Sequence, residues 1–313
     1  MTDLPPLLHF ADGSPVQTHE DWRRMREEIK AWLVDVCFGA TPEPEGQVEL
    51  EPLGWEWFRV WTPGWEEANF LLRAYLPEGE GPFPCFIWGD GCWDGLKPEV
   101  IADFHARGMG VLAFNREEIA PDRYGLGRRS LRKAMSDRGL QVPGAIACWA
   151  WGVRRVVDAC AHLPRVDSSR LAVTGHSRGG KTALLAGALD ERISVVCDNQ
   201  SGCMGSSSLL HLPPGAENLG DIVRNFPFWF HPGLNDWVGR ETEMGFDLHA
   251  FKAMIAPRAL LYTGSEDDLW ANPEGTRLSH QAASQVWDFL ESPRSPESVW
   301  RFGEHGHWPE DFS

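Results

Sequence analysis

Positive charge is in short supply in this chain. Its 313 residues carry 29 Lys and Arg against 45 Asp and Glu, a net charge of −16. Nucleic-acid binding needs a basic face for the phosphates, so the charge argues against nucleic acid as the main ligand. An anionic substrate held by a few local cations stays open. Long apolar runs are missing as well. No stretch reaches the ~18 residues of a membrane span, and no membrane partner is expected. The opening MTDLPPLLHFADGSP has neither the basic start nor the apolar run of a secretory signal. The expectation is a cytoplasmic protein as the sequence stands, or a secreted or periplasmic one if a leader has been removed. The seven cysteines, at 37, 85, 92, 148, 160, 197 and 203, follow no CxxC or Cys/His zinc spacing. Their odd number and apolar settings predict reduced, buried thiols. One bridge, such as Cys85–Cys92 or one involving Cys148 or Cys203, stays open. HExxH and P-loop patterns are absent, and neither a metal nor a cofactor is expected.

What is present is ordinary globular composition, 42% hydrophobic and 24% charged. With no repeat, low-complexity tract or long linker, a single domain over residues 1–313 is expected. Tryptophan is abundant, at 16 residues. Most belong in the core, and a few near a site would line a carbohydrate cleft, since indole stacks well on sugar rings.

The segment from about 18 to 38 reads as a helix, Glu20–Cys37. Thr18 caps it with Asp21 three residues on, and Trp22, Met25, Ile29, Leu33 and Val36 share one face. Strand-like runs follow at Trp57–Trp61, Phe70–Leu76, Phe83–Trp88 and Gly110–Phe114. Helices are expected at Lys97–Arg107 and Gly144–His162. From there strands and helices alternate: Leu171–Thr174, Gly180–Leu189, Ser194–Cys197, Ala259–Thr263, His280–Leu290, Ser298–Phe302. Alternation of this kind predicts an α/β fold, a mainly parallel central sheet with helices on both faces. Residues of about 199–251 form an excursion rich in Gly, Pro and aromatics, of the sort that builds a substrate site.

Three motifs carry chemistry. Gly175-His-Ser177-Arg-Gly179 lies between a strand and a helix, the context of a nucleophile elbow. The helix start offers free N–H groups to an oxyanion. Asp267 and Asp268 follow the strand ending at Thr263, where a carboxylate could orient a histidine. His305 follows the last strand, where the general base belongs, and His307 is its nearby rival. The chain order Ser, Asp, His is that of α/β-hydrolases. A serine hydroxyl becomes a nucleophile when an imidazole takes its proton, and a carboxylate on the other ring nitrogen fixes the tautomer. The reading is therefore a serine esterase with Ser177, His305 and Asp268, Asp267 being the second choice of acid.

The same motifs resemble the bacterial glucuronoyl esterases of carbohydrate esterase family 15. The matching pieces are Pro143–Gly152, Val173-Thr-Gly-His-Ser-Arg-Gly-Gly-Lys181, Asn199–Gly205, Asn225–Phe230, Ala256-Pro-Arg258, Asp268-Leu-Trp-Ala-Asn-Pro273 and Arg301–His305. The resemblance implies an α/β-hydrolase fold, a three-layer sandwich, acting on 4-O-methyl-glucuronoyl or similar uronic esters, with a small-molecule or carbohydrate ester as partner. It implies that Arg178 assists the oxyanion hole and that Lys181, Trp270, Glu217 and Trp229 line the sugar site. One departure stands out. Fungal members carry their acid in a PQESG-like segment, and here Gln200 occupies that place in Asn199-Gln200-Ser201-Gly202. A neutral amide cannot serve as an ionised partner, which turns the choice to Asp268. The competing readings are a general carboxylesterase or acetyl-sugar deacetylase, and a catalytically inactive carbohydrate-binding relative.

Overall fold

The computed structural model describes residues 4–93, 96–308 and 311. Its centre is one sheet of β1 (Glu49–Gly54), β2 (Trp57–Trp61), β3 (Phe70–Tyr75), β4 (Phe83–Trp88), β5 (Gly110–Phe114), β6 (Val166–His176), β7 (Ile193–Asn199), β8 (Ala259–Ser265) and β9 (Glu297–Arg301). The spatial order is β1-β2-β3-β5-β4-β6-β7-β8-β9. Pairings from β1 to β5 are antiparallel, and those from β5 through β4 to β9 are parallel. Every strand read from the sequence is present within a few residues of its expected ends, except that β6 begins earlier. β1 escaped the reading because Glu49, Glu51 and Pro52 break its apolar pattern. It is an exposed edge strand, where proline is tolerated.

The helices are α1 (His19–Ala31), α2 (Pro98–Ala106), α3 (Leu131–Asp137), α4 (Ala145–Cys160), α5 (Arg178–Leu189), α6 (Leu219–Asn225), α7 (Leu248–Ala253) and α8 (Pro273–Phe289). In α1 the Thr18–Asp21 capping box is formed in both directions. The expected single helix ends earlier as an α-helix and continues as a π-helical turn, Trp32–Phe38. That wider turn shifts the phase, so Cys37 and Phe38 complete the buried face and Val36 does not.

Helices cover both faces of the sheet, and the side-chain alternation shows why. Along β5, Val111 packs with Val100 and Phe104 of α2, while its neighbour Leu112 joins the main core with α4 and α5. β4 repeats the pattern with Trp88 and Ile87. Successive strand side chains point to opposite faces, so two separate clusters sandwich the sheet. α4 is buried nearly all round, as its apolar, Trp-rich sequence requires. All seven cysteines are free, and burial pushes the Cys85 and Cys92 thiols up to about 12.

Strand order positions the site. The chain leaves β4 toward β5 on one side and returns to β6 on the other, so a crevice opens at their C-terminal ends. His176, Asn199 and Thr263 face one another as the last rung across β6, β7 and β8. Ser177 follows β6, Gln200 follows β7, Asp268 follows β8 and His305 follows β9. The excursion holds α6, α7 and several 3₁₀ turns, too short and too broken by Pro and Gly to show a helical period.

Candidate active site

Ser177 sits on a strained bend. Its φ of 55° and ψ of −114° lie in a region that non-glycine residues avoid. The bend is held by a hydrogen bond from the Ser177 N–H to the Asn199 carbonyl at 2.8 Å. Both flanking glycines are steric necessities. A Cβ on Gly175 would collide with the Gly179 backbone, and one on Gly179 would collide with the Asp90 carboxylate. Asp90 lies just past β4, and its Oδ2 accepts the His176 N–H at 2.8 Å. The buried Arg116 guanidinium pairs with the same carboxylate and lies 4.5 Å from the Trp93 ring and 4.9 Å from the Trp149 ring. Arg116→Ala is expected to leave Asp90 charged and uncompensated under the elbow. The cost is about 3–5 kcal/mol, read as a lower midpoint in urea unfolding.

The acid and the imidazole meet beside this bend. His305 Nδ1 lies 2.6 Å from Asp268 Oδ2. A carboxylate oxygen accepts, so Nδ1 donates and Nε2 is left with its lone pair. Asp267 points elsewhere: its Oδ2 accepts the Gly303 N–H at 2.9 Å and so anchors the loop that carries His305. Gln200 takes a supporting place. Its Nε2 donates to Asp268 Oδ2 at 2.9 Å, and its Oε1 accepts from Arg301 Nη2 at 3.0 Å and from the Gly306 N–H at 3.2 Å. The amide thus ties the acid to the histidine loop. The His305 ring lies 4.5 Å, centroid to centroid, from that of His176, which precedes the serine. Ser177 Oγ itself has no hydrogen-bond partner among the described residues. The His307 ring stacks 5.8 Å from that of His176.

His176 is locked as a neutral ring. Asn199 Nδ2 donates to Thr263 Oγ1 at 2.7 Å, which turns its Oδ1 toward His176 Nδ1 at 2.5 Å. Burial holds the His176 imidazolium form down to about 3, with the His305 charge adding to the effect, and burial does the same at His280. In the unfolded chain these rings titrate near 6.5. Between those values the unfolded chain binds more protons than the folded one, so stability falls as pH drops through that window and is constant in this respect above it. Each ring contributes on the order of 1 kcal/mol per pH unit. Calorimetry from pH 7 to pH 4 is expected to show a falling Tm, less steep in His280→Gln.

A second cluster forms the other wall. Arg178 Nη1 pairs with Asp122 Oδ2 at 2.5 Å, and the Trp229 indole N–H donates to Asp122 Oδ1 at 2.7 Å. The Arg178 guanidinium carbon lies 4.7 Å from the Trp229 ring, 5.6 Å from Trp93 and 5.7 Å from Phe226. Phe226 and Trp229 stack at 3.8 Å. Lys181 is buried rather than presented to solvent. Its ammonium donates to the Ser201 carbonyl and lies 6.0 Å from the Trp229 ring. Burial lowers the Lys181 pKa and raises that of Glu217, and each charge opposes the other's shift. Glu217 is buried too, and its N–H donates to the Trp270 carbonyl at 3.1 Å, with the Trp270 ring about half exposed. Asp122, Asp90, Arg116 and Trp93 went unnoticed in the sequence. Asp122 left one signal, as the lone acid in a segment of five cations, 121–133. Among the described residues no group of three or more His, Cys, Asp or Glu is placed to hold a metal, and no helix is long and apolar enough to cross a membrane.

Strand, elbow, acid and imidazole in this chain order, on a mainly parallel sheet, define an α/β-hydrolase. The family model described as "Glucuronyl esterase, fungi" matches residues 62–291. The chain is 29% identical over 291 residues to a 4-O-methyl-glucuronoyl methylesterase of Podospora anserina, covering 90% of this chain and 59% of that protein. A protein of the same description from Hypocrea jecorina is 32% identical over 226 residues, covering 69% and 46%. Among solved structures, a carbohydrate esterase family 15 glucuronoyl esterase from Caldicellulosiruptor kristjansonii superposes with a TM-score of 0.86 at 27% identity, covering 97% of this chain and 86% of that one. The chain belongs to the glucuronoyl esterase family.

Proposed function

We propose that the protein is a serine esterase that hydrolyses uronic acid esters, 4-O-methyl-glucuronate esters foremost, within one domain spanning residues 1–313. The observation that carries the reading is the His305–Asp268 hydrogen bond of 2.6 Å at the mouth of a strained serine elbow. The names of the Podospora and Hypocrea relatives supply the substrate class.

In this mechanism Ser177 Oγ attacks the ester carbonyl carbon, and His305 Nε2 takes the hydroxyl proton. Asp268 stabilises the imidazolium through Nδ1–H. The carbonyl oxygen becomes an oxyanion, met by the free N–H groups at the start of α5 and by the Arg178 guanidinium. Collapse breaks the bond to the alkoxy oxygen, His305 returns its proton to that oxygen, and the alcohol leaves. A uronoyl ester of Ser177 remains. Water, giving its proton to His305 Nε2, attacks the acyl carbon; the bond to Ser177 Oγ breaks, His305 returns the proton to that oxygen, and the uronic acid leaves. Trp270 is the exposed platform for the sugar, and Lys181, Glu217 and Trp229, buried in this structure, form the polar and aromatic backing of that cleft.

The deciding assay compares benzyl or methyl glucuronate with p-nitrophenyl acetate. A site built to bind sugar hydroxyls favours the uronate by about 10²-fold or more in kcat/KM. Preference for the acetate would point to a general carboxylesterase or deacetylase, and no turnover of either to a binding protein. Arg178→Gln is expected to lower kcat by about 10²–10³-fold with little change in KM, measured by steady-state kinetics on benzyl glucuronate.

A further inference from the structure

Exposed cations in this protein are nearly all paired. Among the described residues, the exposed Lys and Arg side chains with no ion pair, hydrogen bond or ring contact are Lys97, Arg123, Arg128, Arg129 and Arg294. Arg123, Arg128 and Arg129 share one loop, 121–130, which leads into α3. The chain holds 45 acidic residues, yet the only acid in this loop is Asp122, and its carboxylate is already taken by Arg178 and Trp229. Like charges gathered without counter-charges repel one another. In a chain of net charge −16 such a grouping runs against composition and points to an external anion.

The loop is built into the wall of the candidate site. Asp122 fastens one end to Arg178 and Trp229. Tyr124 is 70% exposed, and its ring lies 5.2 Å from Phe228, next to Trp229. The loop is folded on itself: Ser130 Oγ donates to the Leu126 carbonyl, Arg132 Nη1 donates to the Gly125 carbonyl at 3.3 Å, and Gly127 packs against Pro121. A loop that carries an exposed aromatic ring and three unpaired arginines fits a sugar that carries a carboxylate. The ring takes the apolar face, and arginine forks onto the carboxylate.

An esterified carboxyl is neutral, so the anion these arginines meet is not the one being hydrolysed. We propose that the 121–130 loop is a subsite for an acidic glycan, in which free uronate carboxylates flank the ester-bearing sugar. This rests on the esterase reading above and names its substrate more closely. Exposed charge pairs are individually weak and screened by salt, so the subsite acts as a selectivity filter and a steering patch.

The test compares two esters of the same alcohol in the wild-type enzyme: an oligosaccharide bearing a benzyl glucuronate next to free uronates, and the same compound with those free carboxyls reduced to alcohols. The ratio of kcat/KM, acidic over neutral, is expected to exceed one in 20 mM salt and to fall toward one in 500 mM. In an Arg123→Gln, Arg128→Gln, Arg129→Gln triple variant the ratio is expected to fall by about three- to thirty-fold at low salt. Arg294→Gln, which removes a charge outside this loop, is expected to leave it unchanged. A ratio of one or below in the wild type, an unchanged ratio in the triple variant, or an equal fall in Arg294→Gln would each overturn the subsite. Absence of turnover on both esters would instead overturn the esterase reading.

Discussion

Asp268→Ala is expected to lower kcat on a uronic ester by about 10⁴-fold, while Asp267→Ala loses no more than about tenfold. The two residues are neighbours in the chain and chemically alike, and geometry alone separates them. Asp268 Oδ2 receives His305 Nδ1 at 2.6 Å, whereas Asp267 Oδ2 receives a backbone N–H of Gly303. Removing Asp268 frees the ring to adopt the tautomer that presents N–H to the serine, and removes the charge that stabilises the imidazolium. Removing Asp267 loosens the loop and shifts the base slightly. Asp268→Asn falls between the two. Its oxygen is held in place by the Gln200 Nε2 donor, now 2.9 Å from Asp268 Oδ2, so the tautomer is retained and only the charge is lost. Steady-state kinetics on the three variants checks the ordering, and a larger loss in Asp267→Ala would reassign the acid.

Ser177→Ala carries the largest expected effect, a loss of about 10⁶-fold in kcat. The remaining turnover reflects substrate binding and the oxyanion donors, which the variant keeps. Folding is expected to be hardly disturbed. The hydroxyl has no hydrogen-bond partner among the described residues to lose, and the positive φ of the bend strains alanine as it strains serine. The melting temperature of the variant should therefore match that of the wild type. A loss of activity accompanied by a large fall in Tm would mean that the side chain supports the fold instead.

The parts that the sequence discloses are those written in contiguous residues. The elbow announces itself because strand, glycine-flanked serine and helix follow one another within a few residues. Asp268 and His305, the proposed acid and base, stand out by their places after the last two strands. The sheet is legible from β2 onward because its strands are apolar runs bounded by Pro and Gly, and the alternation with helices carries the α/β class. What stayed hidden is written in contacts between distant segments. Asp90 and Arg116 meet under the elbow from opposite sides of β5. Asp122 reaches Arg178 and Trp229 across 56 and 107 residues of chain. The phase shift after α1 depends on one π-helical turn that no periodicity announces. Gln200 reads as the loss of an acid in the sequence; in space its amide donates to the Asp268 carboxylate.

The central claim is that Ser177 is made nucleophilic by His305, and covalent labelling tests it most directly. The protein is treated with a fluorophosphonate, digested, and mapped by mass spectrometry. Phosphonylation is expected on the peptide containing Ser177, at a rate that collapses in His305→Ala, with no label in Ser177→Ala. A wild-type protein that stays unlabelled, or that carries the label on another residue, would contradict the claim.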